Sequence, residues 1–204
     1  MKLFNSIGPN PRVVNMFLAE KGVTLDKVDV DLRTGENRQA PYLAKNPSGQ
    51  TPCLELDGGA YLNEITAICE YVDEKFPGGS LIGATPEERA ETRMWTRRVD
   101  LKVCEPMANG FRYAEGLPMF QSRMRCLPEA APGLKAVAQD GLQWFEDHMV
   151  GPYLCGERFS LADILLFAFQ DFGNVVGQPL DAKYVKLNAW FAAVKARPSA
   201  AASA

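Results

Sequence analysis

The stretch NPSGQTPCL at residues 46–54 decides the fold, because it joins a dense turn signal to the start of a strand. Pro52 has no backbone N–H, so it fits the first position of a strand that pairs on one side only. If the Thr51–Pro52 bond is cis, the backbone N–H and C=O of Thr51 turn outward, and an extended peptide could pair with them as an added strand. The alternative is a trans proline in an ordinary loop. The local sequence alone favours that alternative, because only about 5–6% of X–Pro bonds are cis.

A helix start follows this stretch, in the sequence LNEIT at residues 62–66. The backbone N–H groups of Ile65 and Thr66 have no partner inside such a helix, and the helix dipole favours an anion there. The carboxylate of Glu64 can accept from an ammonium group. Together these groups fit the α-amino acid end of a ligand, with its carboxylate on the N–H groups and its amine on Glu64. An ordinary first helical turn with a favourable acidic residue is the commoner alternative.

Strand and helix patterns alternate around these two segments in the N-terminal part of the chain. Short apolar runs bounded by turn residues predict four strands, at residues 2–5, 28–32, 53–56 and 60–62. Two helices are predicted, at residues 11–21 and 63–76, with Asn10 and Asn63 as their N-cap residues. This order is that of a βαβ–ββα domain over residues 1–80.

The remainder of the chain has helical patterns and no convincing strand. Five helices are predicted, at residues 86–109, 117–126, 132–149, 161–173 and 184–196. The tail at residues 198–204 is small and polar, and we expect it to fray. Residues 86–204 are therefore interpreted as a second, all-helical domain.

Two of these helices have a capping box at their start. Thr85 precedes a proline and has Glu88 three residues later, and Ser160 has Asp163 at the same distance. In such a box the two side chains satisfy the backbone N–H groups that the helix leaves unpaired. A structural role is sufficient for the box at Ser160, so we assign it to folding and not to catalysis.

Composition excludes several classes of function. The chain has 204 residues, of which 47% are hydrophobic, and a net charge of −3 with a pI near 5.3. This acidic balance argues against nucleic-acid binding, which needs a basic face to neutralise phosphates. No secretory signal is visible at the N-terminus, and no apolar stretch reaches the roughly 18 residues that span a membrane.

Cysteine and histidine usage indicates neither disulfides nor a metal site. The five cysteines are scattered, and no two of them form a C-x-x-C pair. A disulfide framework is therefore not expected, and a reducing cytoplasmic compartment fits best. The single histidine, His148, cannot anchor a metal site by itself, so metal catalysis is not suggested.

Three motifs, in this order, resemble the signature of the glutathione transferase family. Residues 46–54 resemble N-P-x-G-x-x-P-x-L, residues 62–68 resemble the E-S-x-A-I that follows it, and residues 156–163 resemble the second-domain motif G-x-x-x-S-x-A-D. The resemblance spans nearly the whole chain. It implies an α/β thioredoxin-like N-terminal domain, an all-α C-terminal helical bundle and a cis bond before Pro52.

The same resemblance implies a glutathione site in the N-terminal domain. The candidate residues for binding glutathione are Gln50, Thr51, Pro52, Glu64, Ile65 and Thr66. The backbone of Thr51 would hold the cysteinyl part, and Glu64 with the next residue would hold the γ-glutamyl end. The glycyl carboxylate needs a cation, and plant-type relatives have a basic pair after a Gly-Glu. The sequence GENR at residues 35–38 looks similar, so Arg38 is the candidate, with a solvated loop arginine as the alternative.

The chain departs from the family pattern at one position of this site. Ile65 stands where the family usually has serine, so a hydroxyl contact to the γ-glutamyl carboxylate is lost while the backbone N–H remains. Losing one hydrogen bond to a charged group weakens binding by roughly 1.5–3 kcal/mol, or by less if water substitutes. The hydroxyl of Thr66 is a possible replacement.

A transferase must also activate the glutathione thiol. A thiol with a pKa near 8.5 is only about 3% ionised at neutral pH, and the thiolate is the nucleophile. The place for an activating donor is the loop after the first strand, at residues 5–12. The sequence PNPR at residues 9–12 resembles the P-N-G-x-K loop of the nu-class transferases, where asparagine occupies the catalytic position, so Asn10 is the first candidate. The alternatives are Ser6 and the backbone N–H groups of Arg12 and Val13.

The resemblance places the co-substrate between the two domains, where the long helix after the linker ends. The residues that could line an apolar pocket there are Met107, Phe111, Arg112 and Tyr113. Methionine suits a promiscuous pocket, and the arginine could meet an anionic substrate or cap the helix. Ordinary core packing is the alternative for each residue.

The expected function is conjugation or exchange of the glutathione thiolate with an electrophilic, largely apolar small molecule. The first alternative is a glutathione-dependent disulfide or peroxide reductase. The second is a non-catalytic scaffold or regulatory protein with the same fold. The resemblance also implies a homodimer, with glutathione as co-substrate and no metal.

Overall fold

The computed structural model describes residues 1–204, which form two compact units. The first unit consists of Met1–Ile82 together with Pro198–Ala204, and the second consists of Gly83–Arg197. No helix is both long and apolar enough to cross a lipid bilayer.

A four-stranded sheet forms the centre of the first unit. Its strands are β1 (Lys2–Asn5), β2 (Asp26–Asp29), β3 (Cys53–Glu55) and β4 (Tyr61–Leu62). They lie in the order β2-β1-β3-β4, with β2 parallel to β1, and with β3 antiparallel to both β1 and β4. Its helices are α1 (Pro9–Glu20), α2 (Ala40–Leu43), α3 (Ile65–Lys75) and a C-terminal helix (Pro198–Ala202). This arrangement confirms the predicted thioredoxin-like fold.

The two central strands, β1 and β3, have buried side chains on both faces of the sheet, since successive side chains of a strand point to opposite faces. Leu3 pairs with Leu54 across β1 and β3, and both residues are fully buried. Their neighbours Phe4 and Cys53 also pair, and they belong to a second apolar cluster with Tyr42. Hydrophobic contacts on both faces therefore fix the register of the central strands.

The predicted position of the second strand is wrong by a few residues. The structure has β2 at Asp26–Asp29, where the sequence predicted residues 28–32. All four residues of β2 are exposed, so this edge strand has no apolar alternation to read. Val30 lies just past it, buried, and its N–H donates to Asn5 O at 2.8 Å.

The expectation that the C-terminal tail frays is also wrong. The tail folds into the C-terminal helix within the first unit, so the helical domain ends at Arg197 and not at residue 204. Ser199 is 6% exposed and Ala200 is 3% exposed. Their small side chains permit close packing. The composition of the tail alone does not tell such a packed helix from a mobile segment.

The second unit consists of helices joined by loops, with two isolated β-bridges at Tyr153–Gly156 and Cys155–Arg158, which confirms the predicted all-α domain. Its helices are α4 (Pro86–Val99), α5 (Glu105–Arg112), α6 (Leu117–Phe120), α7 (Ala131–His148), α8 (Leu161–Val175) and α9 (Val185–Lys195). Every residue from 161 to 170 is buried, so the first part of α8 forms the centre of this unit. A helix that is apolar on all sides is expected in such a position.

The long helix predicted at residues 86–109 is interrupted by a π-helical turn at Asp100–Cys104. Pro106 has no N–H, so it cannot make the helical hydrogen bond to the carbonyl of Lys102. That carbonyl lies against Gly141 of α7, where a Cβ would be only 2.2 Å from its oxygen. A proline and a glycine thus explain the wider turn.

The helix predicted at residues 117–126 is much shorter in the structure. It is α6, which ends at Phe120, and the chain then turns with Arg123 N–H donating to Phe120 O at 2.8 Å. Most residues after Phe120 are exposed, so a longer helix would have no apolar face to bury.

Candidate functional site

The Thr51–Pro52 peptide bond is cis, as the family resemblance implied and against the local expectation. Thr51 is 7% exposed, and its backbone N–H and C=O make no hydrogen bond within the protein. Unpaired backbone groups are uncommon in a residue as buried as Thr51, since most buried N–H and C=O groups have a hydrogen-bond partner. They form a short edge to which an extended peptide can pair.

The loop before the cis bond is held by side chains that the sequence analysis missed. The carbonyl of Gln50 accepts from the Tyr42 hydroxyl at 2.6 Å and from Asn46 Nδ2 at 2.8 Å. Asn46 Oδ1 accepts in turn from the backbone N–H of Ser48 at 3.1 Å. The Asn-Pro-Ser pattern signals this turn, but no local signal identifies Tyr42. The side chain of Gln50 itself is exposed.

Arg38 lies directly against this loop. Its Nη1 donates to Ser48 O at 3.1 Å, and Asn37 Nδ2 donates to Gly49 O at 2.7 Å. Gly49 has a φ of +63°, and a Cβ there would lie 2.9 Å from Arg38 Nη1. Glycine is therefore required both by the backbone conformation and by the backbone carbonyl of Asn37, whose oxygen would also lie 2.9 Å from that Cβ. A cation is fixed next to the residues that lead into the cis bond.

The start of α3 has no side-chain cap. Its N-cap is Glu64, which has a φ of +69°. The prediction of Asn63 as the cap is wrong, because Glu64 holds the N-cap position and Asn63 Oδ1 accepts no hydrogen bond, while Asn63 Nδ2 donates to Lys45 O at 3.4 Å. The N–H groups of Ile65 and Thr66 make no hydrogen bond, and the Glu64 carboxylate is exposed without a partner. A left-handed backbone costs a residue other than glycine about 1–3 kcal/mol, and such strain is concentrated at functional sites.

The start of α1 also lacks a side-chain cap. Its N-cap is Gly8, so the prediction of Asn10 as the cap is wrong, and no side chain caps this helix. Pro9 fits the first helical position and starts the helix earlier than predicted. Pro9 and Pro11 have no N–H, and the N–H of Arg12 donates to Gly8 O at 3.3 Å. Asn10 is half-buried, and its side-chain amide makes no hydrogen bond.

The three groups predicted to activate a thiol differ in their available donors. The Ser6 hydroxyl donates to Val30 O at 2.8 Å, and a hydroxyl has only one proton to donate. The backbone N–H of Arg12 is occupied by Gly8 O. Asn10 keeps both amide protons of its side chain available for a ligand.

Cys53 follows the cis proline directly but is not a reactive thiol. Its side chain is fully buried, and burial raises its pKa to about 11. The nearby Lys45 opposes this effect, and Glu55 adds to it. At neutral pH Cys53 is protonated, so it does not supply a nucleophile at this edge.

Met107 is not placed where a pocket residue should be. Its exposure is 0%, and a Cβ at Gly173 would lie 2.9 Å from its Sδ and Cε atoms. Its carbonyl accepts from Gln178 Nε2 at 3.0 Å. The prediction that Met107 lines a co-substrate pocket is therefore wrong, and the core-packing alternative holds for this residue.

The other predicted pocket residues lie near the surface of the second unit. Phe111 is half-buried, with ring centroids 5.1 Å from Phe172 and 6.1 Å from Phe120. Arg112 lies over the Phe120 ring at 5.7 Å, and its Nη1 donates to Asn109 Oδ1 at 3.0 Å. Tyr113 follows the last residue of α5 and is also half-buried. These three residues share one end of α5.

The capping box predicted at Ser160 is confirmed. Asp163 Oδ2 accepts from the Ser160 N–H at 3.0 Å, and its Oδ1 accepts from Leu154 N–H at 2.9 Å and from Trp190 Nε1 at 3.0 Å. Burial raises the pKa of Asp163 to about 6, although these hydrogen bonds act in the opposite direction. The motif at residues 156–163 thus connects α8 to Leu154 and Trp190, and its carboxylate is not available to a ligand.

No three or more His, Cys, Asp or Glu side chains are grouped so that they could hold a metal ion. The five cysteines are all unpaired thiols, and four of them are buried.

Comparisons with known proteins agree with this architecture. The family models described as "Glutathione S-transferase, N-terminal domain" and "Glutathione S-transferase, C-terminal domain" match residues 7–75 and 117–198. Glutathione S-transferase 2 of Saccharomyces cerevisiae is 33% identical over 197 residues, which cover 94% of this chain and 84% of that protein.

Solved structures are similar over the full length. The crystal structure of Gtt2 from Saccharomyces cerevisiae superposes with a TM-score of 0.94 at 31% identity, covering 100% of both chains. A glutathione transferase homologue from Sulfitobacter, solved with bound glutathione, has a TM-score of 0.81 at 26% identity, covering 98% of this chain and 95% of its own.

Proposed function

Because the chain belongs to the glutathione S-transferase family, we propose that it binds glutathione and transfers the thiolate to a small, largely apolar electrophile. The observation that carries this proposal is the unpaired backbone of Thr51 at the cis bond. The same unit contains two helix starts without side-chain caps. A peptide with one acidic end needs both features, a strand edge and unpaired N–H groups.

Glutathione lies extended along this edge. Its cysteinyl part pairs with the N–H and C=O of Thr51, beside Pro52. Its γ-glutamyl carboxylate accepts from the N–H groups of Ile65 and Thr66, and its ammonium group donates to Glu64. The exposed carboxylate of Glu64 supports this assignment, since it has no partner within the protein.

The glycyl end of glutathione pairs with Arg38. The guanidinium is already held beside Ser48 and Gly49, so little conformational entropy is lost when it donates to the glycyl carboxylate. The exposed side chain of Gln50 supplies a further polar contact.

The missing serine is partly replaced. Ile65 provides only its backbone N–H to the γ-glutamyl carboxylate, but the Thr66 hydroxyl has no hydrogen-bond partner within the protein. It is available to the same carboxylate. The net loss of affinity is then smaller than the roughly 1.5–3 kcal/mol expected for one hydrogen bond to a charged group.

Asn10 activates the thiol. Its side-chain amide donates to the sulfur, at the positive end of α1. A fall of about two units in the thiol pKa would ionise roughly three-quarters of bound glutathione at neutral pH. Ser6 is the second candidate, and its hydroxyl bond to Val30 O argues against it.

The electrophile contacts the second unit at Phe111 and Tyr113. Both aromatic residues are half-buried, so each has apolar surface left to cover. Arg112 is fixed by Asn109 and Phe120 and accommodates an anionic group on the electrophile.

The protein acts as a homodimer in the cytoplasm. Exposed apolar side chains on and just after α4, Met94 and Leu101, support association, since large exposed apolar groups favour a partner surface. Five unpaired cysteines fit a reducing compartment. Light scattering during size-exclusion chromatography measures the assembly directly, and a monomer mass would contradict a dimer.

Calorimetric titration with glutathione tests the binding site. We expect Glu64→Gln to weaken binding about ten- to hundredfold, because the γ-glutamyl ammonium loses a charged acceptor. The matched control is Asp26→Asn, the same change of carboxylate to amide on the exposed edge strand β2, and it should leave binding unchanged. Equal affinities of the wild type and Glu64→Gln would reject this geometry.

Two turnover assays on the same protein test the chemistry. A chlorinated nitroaromatic acceptor reports conjugation, and a small disulfide reports reduction. Turnover of the aromatic acceptor supports the transferase. Binding with turnover of the disulfide alone would replace it by a reductase, and the absence of glutathione binding would replace it by a non-catalytic scaffold.

A further inference from the structure

The C-terminal helix packs against α1, although the whole second unit separates the two in the sequence. Arg12 Nη2 donates to Ala200 O at 3.5 Å, and the Ser199 hydroxyl donates to the Glu20 carboxylate. Arg12 and Glu20 are eight positions apart in α1, so they lie on one face of that helix. The C-terminal helix is thus connected to both ends of α1.

The first turn of α1 is weakly held by its own hydrogen bonds. Pro9 and Pro11 stand at positions whose N–H groups have no partner inside any helix, so the first bond of α1 runs from Arg12 N–H to Gly8 O, and it is long at 3.3 Å. No side chain caps this start. The first turn therefore depends on contacts from outside the helix, and Arg12, two residues after Asn10, makes one with the C-terminal helix.

Burial shows that this contact is built into the unit. Ser199 and Ala200 are both buried, and so is Met16, which lies between Arg12 and Glu20 on the α1 face. Ala200 O also accepts from the Ser203 hydroxyl at 3.0 Å, which fixes the carbonyl that Arg12 meets. The Arg12 guanidinium meets this fixed carbonyl at 3.5 Å, and its side chain is attached to the turn that carries Asn10.

We propose that Arg12 and the C-terminal helix are positioning elements of the thiol-activating site, since they hold the first turn of α1 and so direct Asn10 to the glutathione sulfur. This inference rests on the proposed function. Arg12 is a positioning residue here and does not touch the sulfur. The glutathione backbone is held elsewhere, by Thr51 and α3, so loss of the C-terminal helix should affect thiol ionisation more than affinity.

The test compares the wild type with a variant that ends at Arg197 and with Arg12→Met, which keeps the side-chain length but removes the donors. Ultraviolet absorbance of the glutathione thiolate against pH gives the pKa of the bound thiol, and calorimetry gives the affinity. We expect both variants to raise that pKa by about one unit, a tenfold change in the ionisation equilibrium, with an affinity for glutathione within about threefold of the wild type. The value of kcat should fall while KM for glutathione is retained.

Ser199→Thr is the conservative control, because it keeps the hydroxyl that meets Glu20, and it should keep the wild-type thiol pKa. An unchanged pKa in both Arg12→Met and the shortened chain would overturn the inference. Loss of glutathione binding in both would also overturn it, since the helix would then support the whole unit. A wild type that binds no glutathione would instead refute the proposed function.

Discussion

The helix that follows Ser160 and the helix that follows Glu64 both begin in motifs that resemble the family pattern, but their first turns meet different partners. At α8 the Ser160 N–H donates to Asp163 Oδ2, and the carboxylate is fully buried. At α3 no side chain caps the helix, and the N–H groups of Ile65 and Thr66 are unpaired. A closed start connects a helix to its own core, whereas an open start leaves donors for a ligand.

The starts of α4 and α1 repeat this difference at the surface. Thr85 and Glu88 close the start of α4, where Glu88 Oε2 accepts from Ala84 N–H at 2.7 Å. The start of α1 has Gly8 as its cap and no capping side chain. Two of the four starts are thus closed by their own sequence, and both open ones lie in the unit that we propose to bind glutathione.

The largest expected effect is on the buried closed start. Asp163→Asn replaces one carboxylate oxygen by an amide donor, so two of its four donors lose their acceptor in the core. We expect a loss of roughly 2–5 kcal/mol in the free energy of unfolding, measured by urea denaturation. The matched change at the exposed box, Glu88→Gln, should leave stability nearly unchanged. Similar losses at both positions would remove the distinction between buried and exposed boxes.

The pH dependence of stability gives the next largest effect. The folded pKa of Asp163, about 6, lies above its ordinary value of 3.8, so the folded state holds this proton more tightly than the unfolded state. Its contribution is therefore full below about pH 4 and is lost as the pH rises to about 6, with a total of roughly 3 kcal/mol. Urea denaturation across this range should show the decline in the wild type and a smaller one in Asp163→Asn. The same dependence of unfolding free energy on pH in both proteins would contradict this assignment to Asp163.

A smaller effect is expected when the open start of α3 receives the family's hydroxyl. Ile65→Ser should tighten glutathione binding by up to about tenfold, because it adds a donor to the γ-glutamyl carboxylate. Thr66→Val, which removes the neighbouring hydroxyl, should weaken binding by a similar factor in the wild-type background. Calorimetry measures both. If neither variant changes the affinity, the γ-glutamyl carboxylate does not lie at this helix start.

The closed starts could be predicted from the sequence because each box is completed within four residues. The open starts could not. Asn10 and Asn63 have the side chains that caps favour, but Pro9 starts α1 two residues earlier, and Glu64 holds the N-cap position of α3. Local propensity gives no information about partners that are distant in the sequence.

The cis bond at Pro52 illustrates the same limit. Local statistics favour the trans form, and only the resemblance of several motifs in order implied the cis form. Tyr42, which holds the Gln50 carbonyl, has no signal in its own neighbourhood. The flexible side chain of Met107 suggested a pocket residue. In the structure it packs against Gly173 in the core, where a Cβ would leave no room for it. Such pairings are long-range, so a single sequence does not show them.

The most direct measurement is the pKa of the glutathione thiol bound to the wild type, to Asn10→Ala and to Ser6→Ala, followed by ultraviolet absorbance of the thiolate. With Asn10 as donor, we expect a bound-thiol pKa well below about 8.5 in the wild type and in Ser6→Ala, and a rise of about one unit in Asn10→Ala. An unchanged value in Asn10→Ala, or a wild-type value equal to that of free glutathione, would contradict thiol activation at the open start of α1.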